Sequence, residues 1–190
     1  MLDAFAACLV WALLLSMAPA KAQVQDAPIP DAKLALRAAL VVTPEFCATK
    51  IAKGSWATMK ETFQVGTIAC AELPPALEKV FSTLTSVTAP PASGDADVVL
   101  MPRFVDVAAT TTMGAFSNRE MDVFLEWTVK DMSGRTVWIE TVQGSAMHHM
   151  GNMFTHSKNV KLIVKDSVMD AAEQSARKMS ASLELRKLTH

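Results

Sequence analysis

The densest group of side chains able to bind or transfer anything is the run Met147-His148-His149-Met150-Gly151-Asn152-Met153-Phe154-Thr155-His156, which holds three of the chain's 4 histidines. Thioether sulfur suits Cu(I) and imidazole suits Cu(II), so Met147, His148, His149, Met150, Met153 and His156 form a candidate copper site if a mobile segment brings them together. No H-x-H, H-x-x-x-H or C-x-x-C spacing fixes a ligand geometry there. The plainer reading is a loop whose methionines cap the edge of the core.

Cysteine is the second chemical resource. Of the 3 cysteines, Cys8 lies in an apolar leader, which leaves Cys47 and Cys70. An even number in an exported chain makes a disulfide the default, contributing roughly 3 kcal/mol by loop entropy. Two separate buried thiols are the alternative. Neither cysteine has the spacing of a redox motif or a basic neighbourhood that would lower its pKa. Nucleophilic and phosphate chemistry find no motif: Ser55 and Ser145 each follow a glycine outside any G-x-S-x-G elbow, and the glycines of the mature chain are scattered singly. Asp95, Asp97 and Asp106 bracket a strand and read as solvated ends. The sequence thus favours a non-enzymatic protein.

The leader itself sets the compartment. From Ala4 to Ala18 the only polar residue is Ser16, and Pro19-Ala20-Lys21-Ala22 supplies a small-x-small cleavage pattern. The run is shorter than the roughly 20 residues a spanning helix needs, so residues 1–22 are expected to be a signal peptide rather than an anchor. Met1-Leu2-Asp3 departs from the usual pattern by carrying an acid and no base. A buried amino-terminal helix is the competing reading, disfavoured because the segment has no polar face. Export implies a periplasmic or secreted protein with no membrane span in the mature chain.

Positioning elements follow from periodicity. Residues 23–34 are a proline-bearing flexible lead-in, and 35–190 are expected to form one domain. Leu40-Val41-Val42 before Pro44 reads as a buried strand, and residues 55–65 as a second extended segment. Ala76, Leu77, Val80, Phe81 and Leu84 recur at helical spacing, predicting a helix begun or kinked at Pro75 and ending near Thr85. Val98 to Val107 is a strand in which Pro102 marks an edge or a bulge. Met121, Val123, Leu125, Trp127 and Val129 alternate with Asp122, Phe124, Glu126, Thr128 and Lys130. With a turn at 131–134 and a return strand over 135–145, they predict an antiparallel hairpin. Val160, Ile163, Val164, Val168, Ala171, Ala172 and Met179 stripe a closing helix from about Asn159 to Leu185. The fold class expected is α+β: a two-layer sandwich, its sheet largely antiparallel, with two helices on one face.

The step Val65-Gly66, the apolar residues Leu77, Val80 and Phe81, and the strand Ala96-Asp97-Val98-Val99-Leu100 resemble a pattern of small bacterial envelope domains. These are the amino-terminal domain of TolB, the periplasmic core of the curli-secretion lipoprotein and the YajG-like lipoproteins. The resemblance covers 65–107, with the hairpin and closing helix matching by order. It implies an accessory protein that binds another cell-envelope protein, and it transfers no catalytic residues. The chain departs from it by lacking a lipidation cysteine after the leader and by carrying Pro74-Pro75. A formal charge of −1 offers no basic field for nucleic acid.

Overall fold

The computed structural model describes residues 32–54, 60–92, 94–111, 118–149 and 156–189. The leader and most of the lead-in lie outside them. Element order is β1 (Leu34–Val41), α1 (Pro44–Cys47), β2 (Ile51–Gly54), β3 (Lys60–Phe63), α2 (Val65–Leu77), β4 (Phe81–Val87), β5 (Val98–Thr111), β6 (Asn118–Asp131), β7 (Thr136–His149), α3 (His156–Ala181) and α4 (Leu183–Arg186). A single 3-10 turn, Lys187–Thr189, follows.

Five strands form one sheet in the order β4-β1-β5-β6-β7, and β2 pairs with β3 in a separate two-stranded ribbon. The sheet is mixed, so the largely antiparallel one expected is met only in part. β1 runs parallel to both β4 and β5, while β5, β6 and β7 run antiparallel. The β1–β4 pairing is not visible in the sequence because residues 81–84 continue a helical period. Ala76, Leu77, Val80, Phe81 and Leu84 fit a 3.6-residue period, yet α2 ends at Leu77 and Phe81 opens a strand. Serine, threonine and valine fill that strand, and the two β-branched types favour the extended chain. Pro74 and Pro75 sit inside the last turns of α2 instead of at a helix start. Of the extended segment expected over 55–65, β3 is the part that forms a strand; 55–59 lie outside the described residues, β2 precedes the segment, and Val65 already opens α2.

The antiparallel half matches its periodicity closely. Met121, Val123, Leu125, Trp127 and Val129 are all buried, alternating with half-buried partners. Leu34, Leu36, Ala38 and Leu40 of β1 join them in one core cluster, together with Leu73 and Leu77 of α2 and Ile163, Val168 and Met179 of α3. Both long helices therefore serve one face of the sheet. The β2–β3 ribbon reaches the same cluster through Phe63. Trp127 anchors this packing by donating its indole N–H to Ser175 Oγ at 2.7 Å, so its one polar atom is satisfied in the core.

Pro102 shows how a proline enters an interior strand. β1 pairs with β5 only as far as Leu100, so Pro102 stands on a stretch of β5 whose β1 side carries no ladder. Just beyond, Val105 is the extra residue of a bulge: Phe104 pairs with Leu125 and Asp106 with Phe124. The bulge shifts the phase by one, so Val107 faces the core and Asp106 does not.

Two close approaches fix the helices. A Cβ on Gly144 of β7 would lie 2.2 Å from Ser167 O and from Ala171 N of α3, so only glycine lets helix and strand meet there. A Cβ on Gly66 would lie 2.2 Å from Phe46 O, where α2 crosses α1. The same crossing carries the bond between Cys47 and Cys70, with an S–S distance of 1.99 Å and Cα atoms 5.6 Å apart.

Candidate interaction surface

Helices cover one face of the β5–β6–β7 platform; the opposite face is its outer face. Each of these strands is 14 residues long. Strand alternation sends every second side chain outward. The cross-strand register then lines up Met101, Thr128 and Ile139, next Arg103, Glu126 and Thr141, and then Phe124 with Gln143. Val105 is 48%, Ile139 62% and Met147 66% exposed, which is unusual for such large apolar groups. Phe124 is half-buried among them.

Polar groups frame these apolar positions. Arg103 reaches Glu126 at 2.8 Å across neighbouring strands. Ser145 Oγ donates to Asp122 Oδ1 at 2.6 Å. At the hairpin tip Asp131 accepts from the Ser133 and Arg135 backbone N–H groups and from the Arg135 side chain. The hydrogen bond from the Ser133 hydroxyl leads in holding the Asp131 carboxyl below its ordinary pKa. On the β1 side Arg37 ties down the approach to β5. That guanidinium meets Asp97 at 2.7 Å and Gly94 O at 3.0 Å. The side-chain hydrogen bond from Arg37 lowers the Asp97 pKa, and the same bond raises that of Arg37.

The Met/His segment divides. β7 continues to His149, four residues past the strand end expected at 145, so Met147, His148 and His149 belong to a strand and not to a loop. Successive strand residues point to opposite faces. His148 turns to the helix side, its Nε2 2.6 Å from Asp166 Oδ2 of α3. Met147 and His149 share the outer face, and His149 Nδ1 lies 3.3 Å from Asn118 Oδ1. His156 is the first residue of α3. Met150 and Met153 lie outside the described residues. Among the described residues, no group of three or more His, Cys, Asp or Glu side chains is placed to hold a metal.

Val105 and Ile139 fall on strands expected from the sequence, where periodicity alone gives them no role. Phe124 was the available signal: it is the one large aromatic among the polar alternates of β6, where a solvated face would carry none.

A class emerges from this geometry: a mixed five-stranded sheet backed on one side by two long helices, with three long strands forming its platform. No family model matches the chain, and no curated protein does either. Among solved structures the chain is similar to a minor lipoprotein from Acinetobacter baumannii, with a TM-score of 0.50 and 12% identity over 79% of this chain and 94% of that one. It is also similar to a Xanthomonas campestris protein of the DUF330 family, with a TM-score of 0.52 and 8% identity over 80% and 91% of the two chains. At such identities what is shared is the fold. Among the described residues, no helix is long and apolar enough to cross a membrane.

Proposed function

We propose that this chain is a non-enzymatic accessory protein of the bacterial cell envelope, exported to the periplasm, which holds another envelope protein against the outer face of β5–β7. The observation that carries the reading is the exposure of Val105, Ile139 and Met147 on the face of β5–β7 opposite the helices. Apolar groups set in a polar frame are the usual composition of a recognition surface. A signal-peptide leader, a cystine suited to an oxidising compartment and a fold shared with a bacterial lipoprotein support the location. The test is a double substitution, Val105→Lys with Ile139→Lys. It should abolish co-fractionation with crosslinked envelopes while leaving the melting temperature within a few degrees of the parent. Unchanged co-fractionation, or turnover of an envelope substrate by the purified chain, would contradict the reading.

A second reading gives the Met/His segment a copper ion. It is favoured by Met147 and His149 standing two residues apart on one face, next to a stretch that also carries Met150, Met153 and His156. Cu(I) titration against a competing chelator tests it. Replacing His149 and Met147 should remove the binding, whereas replacing His148, which faces Asp166, should matter less.

A further inference from the structure

The sheet has two edges, and they are treated differently. Along β7 the closing helix reaches over the edge at four points. Asp170 Oδ2 accepts the Ser145 backbone N–H at 2.8 Å, Asn159 Nδ2 donates to His149 O at 3.1 Å, Asp166 pairs with His148 and Lys178 with Glu140. Such cover is how a long edge avoids pairing with another chain. β4, at the other edge, lacks the charges and prolines that commonly protect one. Its sequence Phe81-Ser82-Thr83-Leu84-Thr85-Ser86-Val87 contains no charge and no proline. Ser82, Thr83, Thr85 and Ser86 are exposed, and Leu84 is half-buried.

That strand is also self-complementary, because Ser82-Thr83-Leu84-Thr85-Ser86 reads the same in both directions. We propose that β4 pairs antiparallel with β4 of a second copy about a two-fold axis at Leu84, joining two five-stranded sheets into one of ten strands. In that register Leu84 faces the partner's Leu84, Thr83 the partner's Thr85, Ser82 the partner's Ser86 and Phe81 the partner's Val87. A two-fold interface demands such self-complementarity, since the same patch serves both sides. Each cross-strand pair is favourable or neutral, with threonine against threonine and serine against serine, and no like charges meet.

Backbone geometry agrees. Val87 O accepts from Val42 N at 2.8 Å, so the groups of Val87 face β1, and alternation turns those of Leu84 and Ser86 to the open edge. Leu84 pairs in register with Ala38, a core residue, so its side chain lies on the helix side, where the partner's Leu84 extends the core. Slipping the register by one would set leucine against threonine and turn the two inner faces to opposite sides. The interface uses no residue of the β5–β7 platform, so it stands or falls independently of the function proposed above.

Sedimentation velocity on the exported chain tests it with three forms: the parent, Thr83→Lys/Thr85→Lys, and Thr83→Lys/Thr85→Glu. The parent should be a dimer. Two lysines per strand place like charges opposite each other twice across the axis and should weaken the dimer by about tenfold or more. The Lys/Glu form places opposite charges there and should restore it. As a check that does not depend on tolerating charge, Leu84→Cys should form an intermolecular disulfide on mild oxidation. A monomeric parent would overturn the proposal. So would a dimer equally tight in all three forms or a Leu84→Cys chain that never crosslinks. Weakening by both double substitutions alike would also overturn it.

Discussion

One strand, β6, builds two surfaces that differ in every respect that matters for function. On its inner side Met121, Val123, Leu125, Trp127 and Val129 are sealed beneath α3 and the rest of the core. On its outer side Asp122, Phe124, Glu126, Thr128 and Lys130 stand half-exposed, beside the exposed Val105 and Ile139 of the neighbouring strands. The contrast separates two kinds of residue with one backbone. Inner residues set stability, and outer residues can change at little cost to it.

The comparison breaks most visibly at Trp127. Trp127→Ala removes the largest buried side chain and the partner of the Ser175 hydroxyl, and should lower stability by about 3 to 5 kcal/mol in chemical denaturation. A loss below about 1 kcal/mol would mean that the inner face is not packed as described. Next comes the staple at the α1–α2 crossing. Reduction, or Cys47→Ser with Cys70→Ser, should cost roughly 3 kcal/mol for a loop of this length. Non-reducing peptide mass spectrometry should find the two cysteines linked in periplasmic material.

A smaller effect is expected from acid. Arg37 holds the Asp97 carboxyl below its ordinary pKa, so the unfolded chain takes up this proton at a higher pH than the folded one. The resulting stability is fully present above about pH 4 and is lost as the pH falls through the lower, folded value. Asp131, lowered first by its Ser133 hydroxyl bond, adds to the same acid limb. Asp97→Asn should flatten that limb and leave stability near neutral pH little changed, because the Arg37–Asp97 pair is largely exposed at 50% and 36%. Denaturation midpoints between pH 2 and 6 would show it. The least effect on stability belongs to Ile139→Lys, within about 0.5 kcal/mol of the parent, as for most surface positions. If it destabilised the fold like a core substitution, the division into two faces would fail.

How far the sequence speaks depends on which residues carry the period. β6 was legible because five apolar residues alternate without interruption from Met121 to Val129, and the hairpin followed from the turn after Asp131. β4 was not, because Val80, Phe81 and Leu84 continue a helical spacing begun at Ala76, and no glycine or proline punctuates the change at 78–80. The mixed sheet is hidden with it in part: one parallel partner of β1 is β4, and the other, β5, lies some sixty residues away in sequence, where local periodicity carries no pairing signal. At the Met/His segment, side-chain chemistry drew the eye and backbone geometry divided it: once β7 runs to His149, His148 and His149 must face opposite ways. The outer surface was hidden for another reason. Val105, Phe124 and Ile139 come from three strands, and only the register brings them onto one face.

The most direct measurement places a photocrosslinking amino acid at Ile139 on the outer face and, in a separate chain, at Glu173 on α3, and irradiates living cells of the native host. If the outer face of β5–β7 holds an envelope protein, position 139 gives one discrete adduct. That adduct should vanish when Val105→Lys is added, while position 173 gives none of the same mass. Adducts of equal yield from both positions, or none from 139 in cells where the chain is abundant, would contradict the account.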